Sequence, residues 1–352
     1  MSETSRRDFV RAGFAGGIAA GMTWGSRAAA ARQSSKGASD PYAVVDPELL
    51  PALKGTPTKT VTGKNLAEGR KWPVIPPLPK PAPQPFEKRI PGPAGAPELR
   101  VVIVDHARGT KGRPVFFHMH GGGYVAGFAG QDPPFLQTVA QSCGCLVVSV
   151  DYRLAPETHF PGSLEDNYSA LRWVYNNADS LGVDRKRIAV GGESAGGGHA
   201  AQLAIAARDR KEIPILFQLL IYPMLDDRTG STRPVRPNIG NFVWNSGSNR
   251  FGWSSFLGVP AGSDKVPPGS VPARVENLGG LPPAFLSVGS IDLFVEEDIE
   301  YARRLIAAGV PTELHVIPGA YHAYDLIVPD AAVSKRFTES WKIALNRAYG
   351  NS

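Results

Sequence analysis

One serine in this 352-residue sequence stands between glycines, in Gly192-Glu193-Ser194-Ala195-Gly196. An apolar run of strand length, Ile188–Val190, precedes it, and a stretch of helical period, Ala195–Arg208, follows. A serine on a sharp strand-to-helix turn needs small neighbours to avoid collision. The start of the helix then points free amides at any oxygen reacting there. A glycine-rich structural turn is the alternative, and the flanking strand and helix favour a nucleophile.

His120-Gly121-Gly122-Gly123 follows a second apolar run, Val115–Phe117. Consecutive glycines let backbone amides come close to a bound group. When serine attacks a carbonyl, the carbonyl oxygen becomes negative, and fixed N–H donors stabilise that charge. His118 and His120 also share one face of the chain at H-x-H spacing, which would suit a metal pair. The glycines account better for His120, and no cluster of further ligands accompanies the pair, so no metal is expected.

Serine is a weak nucleophile without a base, and the base must be held in place by a third group. On α/β scaffolds the order is serine, acid, histidine, each after the carboxyl end of a strand. Asp292 follows the run Ala284–Val288, and His322 follows Leu314–Ile317. Glu296, Glu297 and Asp298 are the alternative acids, but their place suits the first turn of a helix. His315 falls within a strand, and His106, His159 and His199 precede the acid; all four read as structural.

The elements that must carry these residues are legible as a pattern. Apolar runs at Val101–Val104, Val115–Phe117, Leu146–Val150, Ile188–Val190, Ile215–Ile221, Ala284–Val288 and Leu314–Ile317 suit strands buried on both faces of a parallel sheet. Helical periods fall at Leu164–Ala178, opened by Ser163 with Asp166 in its first turn, and at Ala195–Arg208, Glu296–Ala308 and Ala331–Ala348. The alternation predicts an α/β fold with a mostly parallel central sheet and helices on both faces. Residues 32–97 are proline-rich and read as an irregular extended arm, with a free linker as the alternative. Residues 226–276 are rich in Gly, Pro, Ser and Asn, too long for a plain loop, and read as a cap-like insertion.

Residues 1–31 carry a charged start with Arg6-Arg7, a Gly/Ala-rich apolar stretch and a run of alanines. That is the plan of a signal peptide, and the paired arginines resemble the twin-arginine export signal. The expectation is a protein exported to the periplasm or beyond, touching a membrane only through that signal. A disordered tail or a retained anchor is the alternative. The net charge of +6 falls to about +4 without this segment, which holds four arginines and two acids. With no basic stripe, the charge excludes nucleic acid as a partner. The two cysteines, Cys143 and Cys145, are too close in sequence to bridge and read as small packing residues.

Several motifs in the right order resemble the hormone-sensitive-lipase family of α/β-hydrolase esterases, in its bacterial acetyl and carboxyl esterase branch. They are His120-Gly121-Gly122-Gly123-Tyr124, Asp151-Tyr152-Arg153-Leu154-Ala155-Pro156-Glu157, Phe160-Pro161, the serine motif continued by Gly197, Leu281-Pro282-Pro283-Ala284, Gly289 with Asp292, and Pro318-Gly319 with His322. They span about residue 99 to the C-terminus, a catalytic domain expected over 98–352. The sequence departs from the family at Glu193, where Asp is more usual, at Asp292-Leu293-Phe294, and at Ala323-Tyr324 after the histidine.

The resemblance implies a Ser194, Asp292 and His322 triad, with oxyanion donors from the amides of Gly122, Gly123 and Ala195 and with His120 bracing their loop. It implies a cap built from the arm and the insertion. The activity implied is hydrolysis of small-molecule carboxylic esters, with no cofactor. Tyr124, Phe242, Trp244 and Trp253 are expected to line a short apolar acyl pocket. An amidase or peptidase on the same fold, or a non-catalytic binding protein, is the competing reading.

Overall fold

The structure is a computed structural model, and it describes residues 40–54, 58–71 and 75–351. The expected signal segment, residues 1–31, lies outside the described residues.

Eight strands form one sheet: β1 (Phe86–Ile90), β2 (Leu99–Asp105), β3 (Arg113–Met119), β4 (Leu146–Val150), β5 (Val183–Glu193), β6 (Phe217–Ile221), β7 (Ala284–Gly289) and β8 (Thr312–Ile317). Their order is β1-β2-β4-β3-β5-β6-β7-β8. β1 and β2 run antiparallel to their neighbours, and β4 through β8 are parallel. Nine α-helices accompany them among the described residues. They are α1 (Leu66–Gly69), α2 (Pro133–Cys143), α3 (Gly162–Asn176), α4 (Ala178–Leu181), α5 (Ala195–Arg210), α6 (Ser246–Leu257), α7 (Val295–Ala307), α8 (Tyr324–Ile327) and α9 (Ala332–Tyr349).

The central strands are apolar because they are covered on both sides. Every residue of β3, β4, β6 and β7 is buried. Phe116, Val147, Ala189 and Leu219 face one layer with Leu136 of α2 and Phe337 and Trp341 of α9. Phe117, Val148, Val190 and Leu220 face the other, with Leu171 of α3, Leu203 of α5 and Leu305 of α7. The period of two along each strand thus feeds two cores.

The chain passes from β3 to β4 on one side of β3, then returns to β5 on the other. Such a reversal of strand order leaves a crevice outside the carboxyl ends of the strands, where open α/β sheets bind ligands. The triple glycine follows β3, and Ser194 follows β5.

Two expectations change, and the insertion gains an element. The arm is not irregular throughout, since Phe86–Ile90 pairs along its length with β2. Its pattern was hard to see because four of the five residues are exposed at the edge of the sheet. Asp166 does not serve the start of α3, which opens at Gly162. Its buried carboxylate instead accepts three contacts from the Arg153 guanidinium, the shortest 2.7 Å, and the Arg153 amide at 2.9 Å. The insertion at 226–276 contains a helix, α6, capped by Asn245, whose side chain accepts from the Ser248 amide.

Arm and insertion hold each other. Thr58 Oγ1 donates to Asn241 O at 3.0 Å, and the Val61 amide donates to Ser248 Oγ at 2.9 Å. Arg70 then ties the arm to the body. Its Nε donates to Val125 O, its Nη2 to Ala155 O, and its two terminal nitrogens grip Glu157 at 2.8 and 2.7 Å.

Candidate active site

β5 runs directly into α5 with Ser194 as the single residue of the junction. The serine has φ +57° and ψ −121°, a strained backbone for a side-chain-bearing residue. The surroundings fix it there. Its amide donates to Ile221 O at 2.9 Å, and its carbonyl accepts from Gly198 and Met224. A Cβ at either Gly192 or Gly196 would strike the Met119 carbonyl at the end of β3, so only glycine allows the elbow to press against that strand.

The bend after β7 and the loop after β8 bring the other two residues to it. His322 Nε2 lies 2.9 Å from Ser194 Oγ, and His322 Nδ1 lies 2.8 Å from Asp292 Oδ2. The Asp292 Oδ1 accepts from the Phe294 amide at 3.0 Å, which locks the carboxylate. A carboxylate on Nδ1 keeps the proton there and leaves Nε2 as the acceptor facing the hydroxyl. All three side chains are buried, and the rings of Tyr222 and Phe294 pack edge-on against the imidazole at 4.9 and 5.2 Å.

Gly121, Gly122 and Gly123 share a cavity of about 250 Å³ with Ser194 and His322. Among the described residues the amides of Gly122, Gly123 and Ala195 have no protein acceptor. Gly122 has φ +130°, a conformation that favours glycine. His120 lies beneath this loop with its ring stacked on Tyr152 at 4.2 Å, and its Nδ1 donates to Gly121 O at 2.8 Å. Burial pushes its pKa down to about 4, so the ring is a neutral brace.

His118 and His120 do not converge as a metal pair. His118 lies between Ser149 Oγ at 2.8 Å and the Glu193 carboxylate at 3.1 Å, and His120 faces Tyr152. Glu297 is buried and accepts from the Leu225 and Asp226 amides, away from His322.

Of the four residues expected to line an acyl pocket, the structure places one on the cavity wall. Trp244 lies there, so close to the triple-glycine loop that a Cβ on Gly123 would meet its ring. Tyr124 is buried under the loop, stacks on Phe256 at 4.3 Å and donates its hydroxyl to Met224 O. Trp253 packs against Tyr124, and Phe242 packs against Tyr42 and Tyr321. These three are corrected to cap and core residues. Aromatic type alone did not separate a wall from the packing behind it.

Glu193 of the serine motif lines the cavity, and so do walls that the motifs did not announce, Tyr222, Phe135, Asp132 and Asp325. Tyr222 donates its hydroxyl to Asp325 Oδ1 at 3.0 Å. Asp132 caps α2, its Oδ1 accepting from the Phe135 amide at 3.2 Å. Its signal was local, an Asp before Pro133-Pro134. Burial first, and neighbouring carboxylates after it, push the Asp325 pKa up to about 7. Burial does the same to Asp132, to about 6.

A family model described as alpha/beta hydrolase fold matches residues 116–326. Esterase LipI of Mycobacterium tuberculosis is 32% identical over 303 residues, 81% of this chain and 89% of that protein. The solved structure titled Bacterial Heroin Esterase is 36% identical at a TM-score of 0.79, covering 88% of this chain and 99% of that one. The chain belongs to the hormone-sensitive-lipase family of α/β-hydrolases. An ethyl acetate hydrolase of Pseudomonas putida is also similar, 34% identical over 210 residues, 59% of this chain and 64% of that protein. The family's fold is the one described above, an eight-stranded sheet with helices on both faces.

Proposed function

We propose that the cavity is the acyl-transfer site of a serine carboxylesterase acting on short-chain esters. In this reading Ser194 is the nucleophile, His322 the base and Asp292 its orienting acid. That the chain is a carboxylic ester hydrolase follows from its family. The observation that carries the residue assignment is the unbroken line from Asp292 Oδ2 through His322 to Ser194 Oγ, at 2.8 and 2.9 Å.

The steps balance without a cofactor. His322 Nε2 takes the Ser194 proton as Oγ bonds to the ester carbonyl carbon, and the carbonyl oxygen becomes an oxyanion held by the amides of Gly122, Gly123 and Ala195. His322 gives its proton to the departing alkoxide, which leaves as alcohol. Water then attacks the acyl-serine, His322 takes its proton, and the acid leaves as Ser194 recovers the proton. Asp292 holds the ring throughout. A cavity of about 250 Å³, closed on one side by Trp244, supports small acyl groups.

The test is hydrolysis of nitrophenyl esters from acetate to palmitate, with a fluorophosphonate probe for Ser194. Short esters should turn over fastest, and Ser194→Ala should lose both activity and label. Faster turnover of the long esters would overturn the small pocket, and labelling of Ser194→Ala would overturn the nucleophile.

Residues 1–31 complete the proposal as a twin-arginine export signal, supported by Arg6-Arg7 ahead of an apolar stretch and an alanine run. Expression of the full chain in a bacterium should yield a shortened exported form, and Arg6→Lys with Arg7→Lys should block it. Export unaffected by that double change would remove the twin-arginine route.

A further inference from the structure

The cavity around Ser194 adjoins a second cavity of about 230 Å³, and the two share Asp132, Phe135, Asp325 and Leu326 as walls. Trp341 and Thr138 line the far side of the second one. The first is a substrate site because of Ser194 and His322, independently of any acid in it. The second therefore lies where the part of an ester remote from the carbonyl would extend.

Acids dominate the charge of this connected space. Asp132, Glu193 and Asp325 line the serine cavity, and among the described lining residues of both cavities none is Lys or Arg. Glu193 has a hydrogen-bond partner in His118 Nε2 at 3.1 Å. The other two have ordinary duties that occupy one oxygen each, Asp132 on the Phe135 amide and Asp325 on the Tyr222 hydroxyl. Both donors are neutral, so each duty satisfies a lone pair without supplying a full counter-charge. Neither aspartate has an ion-pair partner among the described residues. An asparagine would cap α2 or hold Tyr222 as well as an aspartate does, without placing two carboxylates on the walls of one half-buried space.

A cation on the substrate would remove that conflict. An ammonium held by Asp132 and Asp325 neutralises charge where burial makes charge costly, and Phe135, Trp341 and Tyr222 line the same space with aromatic rings that can add cation–π attraction. We propose that this enzyme selects esters carrying a cationic amine, held by Asp132 and Asp325 where the serine cavity meets its neighbour. The proposal rests on the esterase reading of the Ser194 site and names its substrate class.

The experiment compares two acetates of the same shape at pH 8, 2-(trimethylammonio)ethyl acetate and its uncharged isostere 3,3-dimethylbutyl acetate. The cationic ester should have a kcat/KM about 10-fold higher or more. Asp325→Asn and Asp132→Asn, which keep the acceptor for Tyr222 and for the α2 cap, should each cut that ratio several-fold, and the double variant should bring it to about 1. A ratio near or below 1 in the unaltered enzyme overturns the proposal while leaving the esterase reading intact. So does a high ratio that both variants preserve. Hydrolysis of neither ester, with no fluorophosphonate labelling of Ser194, overturns the esterase reading and this proposal together.

Discussion

His118 Nε2 stands 3.1 Å from Glu193 Oε2, so the residue just before the serine is held by a ring from the neighbouring strand β3. The other ring nitrogen, Nδ1, lies 2.8 Å from Ser149 Oγ on β4. Three adjacent strand ends are thereby tied across the crevice. His118→Ala leaves a half-buried carboxylate without its partner, at a cost of about 1–3 kcal/mol. Urea unfolding of the purified variant should show that loss, together with a lower kcat from a loosened elbow. An unchanged midpoint would mean that the pair holds nothing.

Asp292 acts on the reaction only through His322. Asp292→Asn keeps the shape but donates where the imidazole also donates, which favours the wrong tautomer. In triads of this kind the change lowers kcat by roughly 10⁴. Nitrophenyl acetate turnover should fall on that scale with KM little altered. A loss below about tenfold would shift the role of acid away from this residue.

Trp244 donates its Nε1 to Asn249 Oδ1 at 3.3 Å, and Asn249 is itself anchored to Thr229 O. The indole is thus a fixed wall, and Trp244→Ala removes a large part of it. Longer acyl chains should then gain relative to acetate, by about 1 kcal/mol for each methylene newly buried. Acyl-length profiles of the two enzymes give the comparison. Identical profiles would place the acyl group elsewhere.

What the sequence revealed follows from how local each signal is. Ser194, Asp292 and His322 each sit one turn or loop beyond a strand, so the order of motifs carries their convergence. The buried strands were visible as apolar runs because both faces meet a core. β1 was not, since an edge strand reading Phe86-Glu87-Lys88-Arg89-Ile90 has little to bury. The carboxylates of the pocket were hidden for another reason. Asp132, Glu193 and Asp325 are 61 or more residues apart in the chain, and only the packing of α2 and the loop after β8 against the elbow brings them to one wall. Tyr124, Phe242 and Trp253 pack away from the cavity wall, and nothing local in the sequence tells an aromatic on a wall from one behind it.

Arg70 is the anchor of the arm, and the arm supplies Val61 to the cavity wall. The ion pair with Glu157 is partly exposed and contributes little alone. The donations to Val125 O and Ala155 O add to it, since those carbonyls lie in the segments that follow the triple glycine and β4. Arg70→Ala should cost about 1–2 kcal/mol and raise KM more than it lowers kcat. Limited proteolysis should cut residues 58–71 faster in the variant. Equal cutting rates would show that the arm is held by its contacts with residues 241–248 instead.

Asp325 gives stability a dependence on pH with a definite sign. Its native pKa is pushed up to about 7 by burial, with Glu193 and Asp132 adding to it and the Tyr222 hydroxyl opposing it. In the unfolded chain an aspartate titrates near about 3.9. Between these values the native state holds the proton and the unfolded state does not, so stability falls as pH rises through that window. Asp132, raised to about 6 by burial and by Glu193, acts in the same direction. Asp325→Asn removes the larger contribution. At pH 8 the variant should be more stable than the unaltered enzyme by on the order of 2 kcal/mol, and near pH 4 the advantage should vanish. Thermal or urea unfolding of both proteins from pH 4 to 8 reads this directly, and a constant difference across the range would show that Asp325 is ionised throughout.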